Sequence, residues 1–139
     1  METQGIAIDT CGTTLIVVHG RSDPTDSEWQ QLLEAWRSHP EVTEQLVLTL
    51  GGGPNVVQRR QSLEILNARP LGSPPTAVLT DSVVVRGMVT ALGWFATNRL
   101  RAFALERVED ALTFLHVDEA EKRRQLRERL AMLRRSVSD

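Results

Sequence analysis

The pattern of apolar and polar positions divides the chain into strands and helices. Ile6 and Ile8 alternate with Ala7 and Asp9, the period of a short strand. Cys11-Gly12 offers a turn, and residues 13–19 (TTLIVVH) are β-branched and apolar, a second strand antiparallel to the first. Thr25 and Glu28 have the spacing of a capping box. Behind them Trp29, Leu32, Leu33 and Trp36 recur at helical steps, and His39-Pro40 ends that helix. Residues 46–67 are the organising stretch: an apolar run, LVLTL, then GGGPN, then VVQRRQSLEILN. They predict a buried strand, a tight turn and a helix, with Pro54 in the first helical turn. Val56, Val57, Arg60 and Leu63 give that helix a largely apolar face.

Residues 69–75 (RPLGSPP) form a loop, and residues 76–80 (TAVLT) another buried strand. Asp81 or Ser82 caps a helix reaching Phe95, with Val84, Val85, Met88, Val89 and Leu92 around much of its circumference, so it should be largely buried. Residues 100–105 form a last short strand and residues 106–115 a short helix. From Asp118 the composition changes to a charged helix with a narrow stripe of Leu126, Leu130 and Leu133. The order β-β-α-β-α-β-α-β-α plus a terminal helix predicts an α/β fold with a mixed, mainly parallel sheet and right-handed crossovers. The Trp29, Leu63 and Met88 stripes should face that sheet. The chain divides into a domain over 1–117 and a C-terminal helix over 118–139.

With 139 residues there is room for one domain with a real core. The net charge of −2 gives no general attraction to nucleic acid, and three Trp, three Phe and no Tyr supply little for base stacking. Residues 1–9 lack a basic start and an apolar run, so they do not read as a secretory signal; no run of eighteen apolar residues exists, so no transmembrane segment is expected. The expected location is the cytoplasm.

Chemistry is sparse. One cysteine, Cys11, cannot make an internal disulfide, and His19, His39 and His116 stand far apart with no metal-ligand spacing. There is no GxSxG elbow, and Gly51 to Pro54 lack the Lys-Ser/Thr of a nucleotide phosphate loop. The expectation is a protein without catalytic residues, metal or cofactor. The glycines read first as a tight βα turn. A sharper reading uses the free N–H groups of a helix N-terminus to hold an anion. Trp94 and Phe95 either close a core or, if exposed, form a contact hot spot.

The opening hairpin TTLIVVHGR, the helix with Glu28-Trp29, and the stretches LVLTLGGGPNVVQRR, AVLTDSVVVRGMVTALGWF and RAFALERVEDALTFL together resemble the SpoIIAA-like group, which includes the STAS domains, anti-sigma factor antagonists. The resemblance covers residues 5–117. It implies a SpoIIAA-like (βα) superhelical domain that works by binding partners. In the sigma-factor regulators a serine at the N-terminus of the helix after the central strand is phosphorylated, which switches partner choice. Here residues 49–55 read TLGGGPN: the Asp-Ser pair is absent and residues 51–55 carry no hydroxyl. Ser82, capping a different helix, is a weaker alternative for phosphorylation.

Three functions compete. The first is a non-catalytic protein-interaction module in a bacterial regulatory or assembly system, contacting its partner through Gly51, Gly52, Gly53, Asn55, Arg59 and Arg60. The second is a domain binding a small ligand, anion or lipid at the same turn. The third is an assembly role for the terminal helix. Residues 118–139 carry seven basic and five acidic side chains, a net +2 on a body of −4. Its leucine stripe looks too narrow for a core, so the helix needs a surface. That surface is its own domain, then a second copy in a two-fold homodimer, and last an anionic membrane.

Overall fold

The computed structural model describes residues 5–70, 72–95 and 100–137, without the side chains of 92–95. Ten elements follow in the order β1 (Ile6–Cys11), β2 (Thr14–His19), α1 (Asp26–Ser38), β3 (Glu44–Thr49), α2 (Val56–Asn67), β4 (Thr76–Leu79), α3 (Val83–Phe95), β5 (Leu100–Phe103), α4 (Val108–Phe114) and α5 (Ala120–Ser136). The five strands form one sheet in chain order. β1 and β2 are an antiparallel hairpin turned at Gly12, whose φ is 61°. β2, β3, β4 and β5 run parallel, with His19 level with Thr49 and Leu48 level with Leu79. The mixed, mainly parallel sheet is therefore present.

Two cores flank the sheet. On one face Ile6, Leu15, Val17, Val47 and Val78 meet the tryptophans and leucines of α1, Leu66 of α2 and Val89 of α3. On the other, Ile16, Val18, Leu46, Leu48 and Leu79 meet Leu112 of α4 with Leu126 and Leu130 of α5. A central strand buried on both faces must be apolar at successive positions, which is why residues 46–48 do not alternate.

Two helices depart from expectation. α2 buries Gln58, Ser62 and Leu66, while Val56, Val57 and Leu63 are 59%, 59% and 48% exposed. Leu63 therefore does not face the sheet. α3 is not largely buried over residues 83–91 either: Val83 and Val84 are 80% and 74% exposed, and among these described side chains only Val85, Met88 and Val89 are turned inward. α5 lies on the sheet, with Leu126 and Leu130 fully or nearly buried and Leu133 packed against the same core. The leucine stripe is covered by the chain's own sheet, the first of the three surfaces expected for it. Three leucines suffice because polar bonds fasten the rest of the helix. Lys122 reaches Glu44 at 3.1 Å, Arg129 reaches Asp9 at 2.8 Å, and Arg123 donates to the Val117 carbonyl at 2.6 Å.

Candidate functional site

The carboxyl ends of parallel strands, where helices begin, are where α/β sheets present ligands and partners. At this end β2 stops at His19, β3 at the glycine turn and β4 just before Ser82. Thr49 pins the turn: its hydroxyl donates to the Gly52 carbonyl at 2.5 Å and accepts the Gly51 N–H at 3.1 Å. The Leu50 N–H donates to the His19 carbonyl and the Gly52 N–H to the Gly20 carbonyl. The Gly53 N–H donates to Asp23 Oδ1 at 3.1 Å. Each glycine amide of the turn is thus bonded inside the protein, and none is left free for an anion.

The glycines do different jobs. Gly51 has φ 142°, a region that favours glycine. A Cβ on Gly52 would stand 2.1 Å from the Ser22 carbonyl oxygen, so this glycine is required by close backbone approach. Nothing lies within 4 Å of where a Gly53 side chain would begin.

Asn55 is the N-cap of α2, so the helix begins at Val56 and Pro54, expected in its first turn, lies just outside it. It forms a capping box: Asn55 Oδ1 accepts the Gln58 N–H at 2.8 Å, and Gln58 Oε1 accepts the Asn55 N–H at 3.0 Å. The Asn-x-x-Gln spacing was a readable signal for this box. Gln58 also donates to the Pro24 carbonyl and to Asp26, tying α2 to the start of α1. The side chains of Arg59 and Arg60 have no hydrogen-bond or ion-pair partner among the described residues. Ser82 caps α3 by accepting the Val85 N–H at 3.2 Å. Trp94 and Phe95 have side chains outside the described residues.

His19 is a buried histidine at this end. It is 5% exposed and stacks on Trp29, ring centroids 6.0 Å apart. Its Nδ1 has no partner among the described residues. Burial pushes its pKa down to about 4, against the opposing pull of Glu28 and Asp23. His39 donates from Nδ1 to the Ala35 carbonyl at 2.9 Å, and His116 lies exposed between α4 and α5 with φ 60°. Cys11 is buried at the other end of the hairpin from His19, its thiol 3.7 Å from Gln125 Oε1. These four residues are not brought together, and no group of three His, Cys, Asp or Glu able to hold a metal occurs among the described residues. Away from this end, a cleft of about 360 Å³ lies between α1 and α2, lined by Trp36, Arg37, Glu64, Ile65 and Arg69 among others. Arg69 is spent on the carbonyls of Trp36, Pro40 and Val42.

No protein-family model matches the chain, and no curated protein matches it. Among solved structures it is similar to the crystal structure of an uncharacterised protein of the DUF3478 family with a SpoIIAA-like fold, from Shewanella loihica PV-4. The TM-score is 0.57 at 16% identity, over 83% of this chain and 97% of that one. The chain therefore has a SpoIIAA-like fold. Among the described residues no helix is long and apolar enough to cross a membrane.

Proposed function

We propose that the chain is a non-catalytic module that binds another protein through the outer face of α2 and α3. One observation carries this reading: the apolar stripe of α2 points into solvent. Of the six large apolar side chains most exposed among the described residues, five (Val56, Val57, Leu63, Val83 and Val84) lie on these two helices. Single exposed valines are ordinary, but a set gathered on two helices on the same side of a sheet marks a contact surface. The glycine turn, Asn55, Arg59 and Arg60 adjoin it. The resemblance to STAS domains supports a regulatory or assembly setting. Capture of an anion by the turn has less support, because its glycine amides are already engaged.

The test is a photo-crosslinking residue placed at Val57 or Val84 in the cells the protein comes from. The expected result is a discrete protein adduct that disappears when Leu63→Asp is added. Absence of any protein adduct at both positions rejects the reading.

A further inference from the structure

Charge and side-chain size on the α2–α3 face narrow the kind of partner it takes. Glu64 and Ile65 line the cleft against α1. On a helix, Arg59 and Leu63 are on the opposite flank, away from that cleft. Along α3 the solvent side runs Val84, Gly87 and Ala91, all exposed. The space over Gly87 is open to 4 Å. Small residues at these steps let another backbone come close, which favours a rod-shaped partner over a bilayer. The charges on the two helices are Arg59, Arg60 and Arg86 against Glu64 alone, and Glu64 belongs to the cleft side. Both helices also begin at this edge, so their positive dipole ends add to the same field. On a chain of net charge −2 this face is locally basic.

A second copy does not fit. A two-fold contact through this face would set Arg59 and Arg60 of one chain near those of the other. A head-to-tail contact needs an apolar patch with acids elsewhere on the surface. The sixth strongly exposed large apolar residue, Met132, is flanked at three-residue steps by Arg129 and Arg135.

We propose that the partner presents an acidic amphipathic helix, its apolar side on Leu63, Val84, Gly87 and Ala91 and its carboxylates on Arg59 and Arg60. This rests on the reading that the α2–α3 face binds protein. Helices docked on such faces use apolar anchors at steps of three, four and seven.

Fluorescence anisotropy with labelled peptides tests it. One peptide of about sixteen residues carries leucines at those steps with glutamates between them. A second replaces the glutamates by lysines, and a third scrambles the acidic sequence. The acidic amphipathic peptide should bind the full chain at least about tenfold tighter than the other two. Leu63→Asp should weaken it by a similar factor. The double variant Arg59→Glu, Arg60→Glu should reverse the preference toward the lysine peptide, with both variants shown folded by thermal melting. Equal binding of acidic and lysine peptides, or no binding of the acidic one, overturns the inference. If crosslinking at Val84 still captures a protein, the binding reading survives that failure. If nothing is captured and the chain binds only phosphatidylserine vesicles, both fall.

Discussion

A single atom's worth of space separates the three glycines after β3. Gly51→Ala should cost about 1–3 kcal/mol, because φ 142° strains any side chain. Gly52→Ala should cost at least as much, because its Cβ meets the Ser22 carbonyl at 2.1 Å and the backbone must move. Gly53→Ala should be within about 0.5 kcal/mol of neutral. Urea unfolding of the three variants checks the order, and equal effects would contradict it. His19 makes the second prediction at this scale. Its pKa falls from 6.5 to about 4 on folding, so the unfolded chain takes up the proton first as pH drops. Stability is complete above pH 6.5, declines below it and levels off below about pH 4, by about 3 kcal/mol in all. Glu28 adds an acid-side loss of its own, since hydrogen bonds led by the Thr25 N–H hold its pKa down. His19→Phe should remove the part between pH 6.5 and 5 while leaving the Glu28 part. Unfolding midpoints of both proteins across that range decide it.

Among the elements, β3, the turn and the existence of α2 were legible because a continuous apolar run, three glycines and a capping spacing agree with one another. The orientation of α2 was not. Pattern reading assumes that apolar residues face inward, and here Gln58 and Ser62 do so instead. Gln58 is tolerated at 1% exposure because Pro24 and Asp26 accept its amide, and Ser62 donates to the Gln58 carbonyl. Those partners lie about thirty residues away in sequence for Gln58, so no local signal announces them. An apolar stripe turned to solvent inverts the very pattern used to find cores. The docking of α5 on its own domain was the first surface expected for it, but the polar partners that fasten it lie far away in sequence. Burial raises the Glu44 pKa, but the hydroxyls of Thr14 and Thr43, the Lys122 ammonium and the Thr13 hydroxyl outweigh it and hold it low. Lys122, the only lysine of the chain, supplies a compact charge to that cluster. Lys122→Met should destabilise by about 1–3 kcal/mol, since Glu44 keeps its charge with one donor fewer. Lys122→Arg should recover only part, because a planar fork does not fit a site built for an ammonium. Thermal melting of both variants is the check.

At the scale of the whole molecule, the two faces of the sheet have different fates, and a pair of leucines separates them. Leu126 is fully buried between α5 and the sheet, whereas Leu63 is 48% exposed on α2. Leu126→Ala opens a cavity beside Leu112 and the central strands and should cost about 2–5 kcal/mol. Leu63→Ala removes a side chain already in water and should change stability by less than about 0.5 kcal/mol. Ending the chain after Val117 removes Leu126, Leu130 and Val137 from the core at once, and uncovers the α4 side of the sheet. The shortened chain should lose most of its stability rather than persist as a folded domain. Light scattering should give the full chain and Leu126→Ala the same mass, because that leucine is buried in the chain's own core. The outcome that contradicts this is a shortened chain that melts as cooperatively, and at the same temperature, as the full one. In that case α5 would be an appendage, and the division near residue 117 would be real.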